Sequence, residues 1–187
     1  MPRTERHMMK ILMAPLLLFA ALAVAAPAFS AETRDPDDHF FNLNTGDLKA
    51  ESVDAKNAGK RAVFVMFEQD GCPGCLYMKK NVLNRVAVQK FYREHFVNFT
   101  INIYGAVPIT DFGGRDFTEK SYAQSLGIEG TPTFAFYDLR GQEIVRMLGP
   151  IKDAAEFLLL GQFVASGAYK TRPFAEYRQS QRKKNGS

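Results

Sequence analysis

The stretch that decides the fold is AVFVMFEQDGCPGC, residues 62–75. Its first half, residues 62–68, is short, almost wholly apolar, and rich in β-branched and aromatic side chains. Such a run predicts a strand that is buried on both faces, as in the centre of a mixed sheet. Cys72 and Cys75 follow the strand at once, and apolar residues at helical spacing follow them. The stretch therefore predicts a strand, a turn and a helix, with a Cys-x-x-Cys motif where the helix begins.

The segments on either side complete an alternation of helices and strands. Working outward from the motif, the patterns predict a helix from Asp47 to Ala58, a helical segment through His95 with Asn84 as its cap, a strand over 96–103, a hairpin over 107–118, a helix over 119–126, strands over 133–137 and 143–147, and a helix over 151–164. This order predicts an α/β fold in which a central mixed sheet is covered by helices on both faces.

The N-terminus indicates export. A basic opening is followed by an apolar run, residues 11–26, and by the small residues Ala26-Pro27-Ala28. These features are typical of a secretory signal peptide, which we place at residues 1–31 and expect to be cleaved. The alternative is an uncleaved membrane anchor, but the run is somewhat short for the ~20 apolar residues of a span. The protein is therefore expected to be exported; the more specific expectation, the periplasm, rests on a resemblance given below.

The rest of the chain divides into three parts. Residues 32–46 are polar and predict a loose lead-in, with Phe40 and Phe41 docked on the domain. Residues 47–169 form the predicted domain, and residues 170–187 a basic helix or tail. The formal net charge of the chain is +4, and the tail concentrates basic residues. A basic patch suggests nucleic acid or anionic lipid, but on a terminal segment we interpret it as solvated and expect no nucleic-acid partner.

Cysteine usage points to reactivity. The chain has two cysteines, and both lie in the one motif. A bridge that closes so short a loop removes little entropy from the unfolded chain, so it would add little stability. The start of a helix stabilises a thiolate through free N–H groups and the positive end of the helix dipole. Cys72 is therefore the predicted nucleophile and Cys75 the resolving thiol, with Pro73 at the first helical position.

Metal binding is the competing interpretation of the motif. A zinc site normally needs four nitrogen or sulfur ligands. Beyond the leader only His39 and His95 are available as histidine ligands, and neither has ligand spacing. A Cu(I) module remains an alternative, because Cys72, Cys75 and Met78 would supply the soft sulfur ligands that this ion prefers; Met78 also suits helix packing.

Several motifs resemble the thioredoxin-like superfamily. Phe64-Val65-Met66-Phe67 is similar to its central strand, Thr131-Pro132-Thr133-Phe134 to its cis-proline loop, and Gly149 to a glycine that faces its substrate groove. The Phe-Glu-Gln-x-Gly-Cys-Pro opening, the Thr-Asp-Phe-x-Gly insert and the Gly-Ala-Tyr-Lys ending resemble periplasmic thioredoxin-related proteins, including those of sulfur-oxidation gene clusters.

The resemblance implies further site residues. Pro132 would be cis and lie against the motif, where Pro73 and Gly74 complete the active-site loop, while the Thr131 backbone would pair with an extended substrate segment. Two residues depart from thioredoxin proper: Gly71 replaces a tryptophan, and Met66 replaces a buried acid. Glu68 is then either a substitute proton-transfer group or a solvated carboxylate at the strand end.

The resemblance also implies a direction of electron flow. Strong oxidants of the family carry His between the cysteines, whereas this chain has Pro73-Gly74. We therefore expect a reductase, with isomerase or oxidase as alternatives. The implied partners are an oxidised client protein and a membrane thiol-transfer protein that donates electrons. Against an isomerase, no dimerisation domain is visible. A monomer is expected, and the absence of a Gly-rich phosphate loop predicts no nucleotide cofactor.

Overall fold

The computed structural model describes residues 32–185. The predicted signal peptide, residues 1–31, lies outside the described residues. In chain order the elements are α1 (Pro36–His39), α2 (Leu48–Asn57), β1 (Ala62–Glu68), α3 (Pro73–Met78), a π-helical turn (Lys79–Leu83), α4 (Val86–His95), β2 (Phe96–Asn102), β3 (Pro108–Thr110), β4 (Asp116–Thr118), α5 (Glu119–Ser125), β5 (Thr133–Tyr137), β6 (Glu143–Leu148), α6 (Ala154–Ala165), a 3-10 turn (Ala168–Lys170) and α7 (Phe174–Asn185).

The main sheet is mixed, as predicted. Its strand order is β2-β1-β5-β6. Strand β1 runs parallel to β2 and antiparallel to β5, and β5 pairs with β6 in antiparallel fashion. The described bounds of β1 and β5 coincide with the predicted ones. Because β1 has a neighbour on each side and helices on each face, its residues from Ala62 to Phe67 are completely buried.

The two faces of β1 belong to different cores, because successive side chains of a strand point to opposite faces. Phe64 and Met66 join an aromatic cluster formed with α4 and α6, in which the rings of Tyr92 and Phe157 stack 4.6 Å apart. The opposite face packs against α2 and α5. The prediction of a sheet covered on both faces is confirmed, and the motif cysteines belong to the aromatic side.

The lead-in is built into the domain rather than loose. Residues Pro36–His39 form a helical turn, and the side chain of Phe40 is completely buried. Asn42 then continues beside β2, where its backbone N–H donates to the carbonyl oxygen of Asn98 at 2.7 Å and its side chain accepts from the N–H of Asn98 at 2.9 Å. The predicted docking of Phe40 and Phe41 is confirmed, since both side chains are buried. The polar composition of the segment did not indicate the helical turn or the pairing beside β2.

The predicted cap at Asn84 is wrong. Helix α4 begins at Val86, after Arg85, which makes no side-chain capping bond. The amide of Asn84 instead donates to the carbonyl oxygen of Lys80 at 2.6 Å. The preceding chain forms a π-helical turn over Lys79–Leu83, so Asn84 ends that turn instead of starting the next helix.

The C-terminal helix is attached to the domain, in contrast to the expected solvated tail. Tyr177 of α7 is 8% exposed, and its ring lies 5.3 Å from that of Phe163 on α6. Arg178 forms an ion pair with Glu156. The apolar and charged contacts together fix one face of α7, while its basic last turn stays on the surface. Within residues 32–185, no helix combines the length and apolar character that crossing a membrane requires.

Candidate active site

The two cysteines form a disulfide at the N-terminus of α3. Cys72 is the N-cap residue, and its Sγ accepts a hydrogen bond from the backbone N–H of Cys75 at 3.0 Å. Cys72 is 7% exposed and Cys75 4% exposed. On reduction, the same N–H group and the positive end of the helix would face the Cys72 sulfur, which is the arrangement that stabilises a thiolate.

Gly71 explains one departure from thioredoxin. Its backbone has a φ of +71°, in the left-handed region that glycine adopts at little cost. A large residue such as tryptophan would be strained there. The β1–α3 turn of this chain therefore depends on glycine immediately before the reactive cysteine.

The predicted proline loop lies directly against the motif. The Thr131–Pro132 peptide bond is cis, and Pro132 is buried. A Cβ atom on Gly74 would lie 2.8 Å from Cδ of Pro132, so the absence of a side chain at Gly74 permits this close approach. The backbone N–H of Gly149 donates to the carbonyl oxygen of Pro132 at 2.8 Å. The structure thus brings together Cys72, the intervening Pro73 and Gly74, Pro132 and Gly149.

Exposed apolar side chains flank the disulfide. Leu76 is 52% and Tyr77 37% exposed on α3, and Leu148 is 72% exposed at the end of β6. Leu148 pairs with Thr133, which places it beside the proline loop. The Tyr77 hydroxyl donates to the carbonyl oxygen of Lys152 at 3.2 Å, which fixes the ring against the segment before α6. These residues were not predicted, although the first two follow the motif directly.

Glu68 takes part in an ion-pair cluster at the end of β1. The Nζ atom of Lys79 lies 3.2 Å from Oε1 and 3.1 Å from Oε2 of Glu68, and 3.1 Å from Oδ1 of Asp37 in α1. Burial lowers the pKa of Lys79, but the Glu68 and Asp37 carboxylates outweigh it and raise that pKa above its usual value. Glu68 and Lys79 line the same pocket, of about 400 Å³, as Cys72 and Cys75.

The side chains before Glu68 show why it faces the cysteines. Met66, which replaces the buried acid of thioredoxin, is completely buried in the core that contains the disulfide. Glu68 lies two residues further on, and therefore on the same face of β1. Sequence reasoning identified Glu68 but missed Lys79 and Asp37. The spacing of four residues between Cys75 and Lys79, one helical turn, was the available signal for Lys79.

A second carboxylate lies near Glu68. The Oε1 atom of Glu119, at the start of α5, accepts from the backbone N–H of Asn102 at 3.1 Å. Burial raises the pKa of Glu119, the N–H of Asn102 opposes this, and the negative charge of Glu68 adds to the rise. The ends of β1 and β2 are therefore rich in acidic groups.

Met78 is accounted for by packing. Its side chain is completely buried in the same core as Phe64 and Tyr92. This is the environment of a gap-filling methionine. Among residues 32–185, no group of three or more His, Cys, Asp or Glu side chains is arranged to hold a metal ion.

Comparisons with known proteins agree with the fold. The family model of the thioredoxin-like domain, which describes the sequences of that family, matches residues 48–165 of this chain. A thioredoxin-fold protein from Helicobacter pylori superimposes with a TM-score of 0.63 at 19% identity, covering 83% of this chain and 98% of that one. A thioredoxin from Thermus thermophilus superimposes with a TM-score of 0.49 at 24% identity, covering 67% and 85%. The reduced C-terminal domain of DsbD from Neisseria meningitidis has a TM-score of 0.47 at 19% identity, covering 62% of this chain and 90% of that one.

No curated protein sequence matches the chain. The family model nevertheless spans more than half of it, from the start of α2 to the end of α6. The matched region contains the disulfide, the proline loop and the whole mixed sheet. The chain belongs to the thioredoxin-like domain family.

Proposed function

We propose that this protein is an exported thiol–disulfide oxidoreductase that reduces disulfides of client proteins in the periplasm. The observation that carries the proposal is the position of the Cys72–Cys75 disulfide, at a helix N-terminus and beside the Pro132 loop. A structural disulfide would gain little stability from so short a loop. A reactive one needs both a stabilised thiolate and access for a second sulfur.

The reaction is thiol–disulfide exchange in two steps. The Cys72 thiolate attacks one sulfur of the client disulfide, so that a mixed disulfide forms and the other client sulfur leaves as a thiolate, which takes up a proton. Cys75 then loses its proton and attacks Sγ of Cys72. This step forms the Cys72–Cys75 disulfide and releases the second client thiolate. The client gains two electrons, and the dithiol loses two.

The neighbouring residues are assigned as follows. Pro73 and Gly74 set the shape of the motif and admit the proline loop, while Thr131 and Pro132 hold an extended client segment through the Thr131 backbone. Apolar side chains of the client would contact the exposed rim, formed by Leu76, Tyr77 and Leu148. Glu68 is the proposed acceptor of the Cys75 proton, because it lines the pocket of the disulfide and Met66 cannot take this role. No cofactor is needed for this exchange.

The direction and the compartment come from the sequence. The Pro-Gly pair between the cysteines lacks the histidine of strong oxidants, and the basic and apolar N-terminus supports export. A dithiol stays reduced in an oxidising compartment only if electrons are supplied. We therefore include a membrane thiol-transfer protein as the donor, and a monomer as the working form. The likeness to periplasmic proteins of sulfur-oxidation clusters supports this assignment.

The test begins with the reduction potential of the Cys72–Cys75 pair, measured in glutathione and dithiothreitol buffers. A value near or below roughly −230 mV agrees with a reductase, whereas a value near roughly −120 mV would make the protein a disulfide donor. Cys75→Ser is expected to accumulate a mixed disulfide with an oxidised client, and Cys72→Ser to form none. Equal accumulation by both variants would contradict the assigned order of attack. Cell fractionation and N-terminal sequencing of the exported chain test the compartment and the leader.

A further inference from the structure

The cation at the disulfide pocket is held in an unusual position for a surface lysine. Lys79 begins the π-helical turn, and its side chain is only 23% exposed. Its Nζ atom lies within 3.2 Å of Glu68 and of Asp37, and 5.6 Å from the centre of the Phe41 ring. Contacts from β1, from α1 and from the chain after α1 thus fix the ammonium group.

The charges around this ammonium are mostly negative. The lining of the pocket contains the carboxylates of Glu68 and Asp70 together with Lys79. Asp37 contacts Lys79 from α1, and Glu119 of α5 acts on Glu68 from the β2 side. A thiolate formed in this pocket would face those negative charges. Like charges disfavour the ionised form, and an opposite charge favours it.

We propose that Lys79 is a positioning residue for the dithiol: its ammonium keeps the Glu68 carboxylate at the rim of the pocket and compensates the negative charge that the thiolate would otherwise meet. The inference rests on the proposed redox function and adds to it the group that adjusts the reactive sulfur. This role requires no contact of the lysine with the client or with the attacking sulfur. It acts through the local field and through the placement of Glu68.

The geometry supports an effect on both cysteines. Lys79 follows Cys75 by one helical turn, and both residues line the pocket with Cys72. The raised pKa of Lys79 keeps it protonated across the neutral range. The position of the Glu68 carboxylate in the pocket is fixed, because both of its oxygens contact Nζ of Lys79. Loss of the lysine would remove a positive charge and release a negative one in the same pocket.

The experiment compares Lys79→Met, Lys79→Arg and a matched control, Lys80→Met. Lys80 is the adjacent residue, is exposed, and lines the neighbouring cavity instead of the disulfide pocket. The Lys80 variant therefore removes the same unit charge from nearly the same place in the chain. The purified, reduced proteins are titrated by thiolate absorbance and by the rate of alkylation of Cys72. Circular dichroism verifies that each variant is folded.

For Lys79→Met we expect the midpoint of the thiolate titration to rise by about half to one pH unit, which is a three- to tenfold smaller thiolate fraction below the midpoint. Lys79→Arg keeps the charge and is expected to restore most of the wild-type midpoint. Lys80→Met is expected to leave the midpoint close to wild type. Equal shifts in the Lys79→Met and Lys80→Met variants would overturn the proposal, because the effect would then be general and not local.

A further variant tests the role of Glu68 in this arrangement. Glu68→Gln removes the negative charge, so it is expected to lower the midpoint of the thiolate titration. The double variant, Lys79→Met with Glu68→Gln, is expected to have a midpoint near that of the wild type. A double variant that keeps the full upward shift would show that Glu68 does not mediate the effect. The proposed function and the role of Lys79 can fail separately. A wild-type dithiol that does not exchange with glutathione contradicts the proposed function. Normal exchange, with an unshifted titration midpoint in Lys79→Met, contradicts only the role of Lys79.

Discussion

The side chain of Phe40 decides whether the lead-in is part of the folding unit. It is completely buried, and its ring centre lies 5.3 Å from that of Tyr92 and 5.7 Å from that of Phe64. A buried phenylalanine removes roughly 150–250 Å² from water, which at about 25 cal/mol per Å² corresponds to about 4–6 kcal/mol. Measured Phe→Ala substitutions in cores cost about 3–5 kcal/mol, and we expect this range for Phe40→Ala.

A loss of this size is large for one domain. Domains are stable by only about 5–15 kcal/mol, and at this chain length each kcal/mol changes the melting temperature by roughly 2–4 °C. Phe40→Ala should therefore lower the melting temperature by about 6–20 °C. The assay is urea and thermal unfolding followed by far-ultraviolet circular dichroism, since the chain has no tryptophan to report by fluorescence. The disulfide is kept oxidised throughout, so that only one transition is measured.

The matched control lies in the same segment. Leu43 is 88% exposed, so Leu43→Ala removes a similar apolar side chain that makes little contact. Its effect should stay within about 0.5 kcal/mol, as for other surface substitutions. If Phe40→Ala cost less than about 1 kcal/mol, or no more than Leu43→Ala, the lead-in would not be docked in solution. The reasoning that includes residues before α2 in the core would then be refuted.

Two further predictions concern stability. Gly161→Ala gains about 1 kcal/mol of helix propensity, but the new Cβ would lie 2.8 Å from Cε2 of Tyr92 and 3.1 Å from Cε1 of Phe91. Such crowding costs about 1–3 kcal/mol. Thermal unfolding should therefore show a lower melting temperature, and a higher one would contradict the close packing around Gly161. Burial raises the pKa of Asp111, but hydrogen bonds from Arg115, with its charge, lower it overall. This carboxylate therefore stabilises the fold above its unfolded pKa of about 3.9 and loses that effect as the pH falls through the lower folded value. Asp111→Asn should reduce the midpoint of urea unfolding at pH 7, and the difference from wild type should shrink below about pH 4. A difference that does not depend on pH would show that the ionisation of Asp111 does not contribute to stability.

The sheet was predictable because its signals are local. The run from Ala62 to Phe67 is apolar on both faces, which already identifies a central strand. Turn residues and the cysteine motif then give the order of the elements around it. The bounds of β1 and β5 coincide with the prediction for this reason, and the site residues Cys72 and Pro132 follow from motifs at the ends of these strands.

The parts that were missed depend on distant contacts. The order of the lead-in around its predicted anchors depends on pairing such as that of Asn42 with Asn98. The attachment of α7 depends on Phe163 and on the pair of Arg178 with Glu156. Neither contact has a local pattern, since both segments are polar on average. Likewise, Asn84 has the side chain of a helix cap, but the π-helical turn before it offers the Lys80 carbonyl as a nearer partner.

The surroundings of positions 66 and 68 on β1 explain why an acid is better tolerated at the second of them. A carboxylate at position 66 would be completely buried among apolar side chains, where a charge is costly unless it is paired. Glu68 lies two residues further along β1, on the same face and at the strand end, where Lys79 reaches it and is itself contacted by Asp37. The cost of burial is lower there, and Lys79 gives the carboxylate a counter-ion in the pocket that Cys72 and Cys75 also line. Met66→Asp should therefore destabilise the fold, because it places an unpaired carboxylate among apolar side chains. A urea midpoint equal to that of the wild type at pH 7 would contradict this expectation.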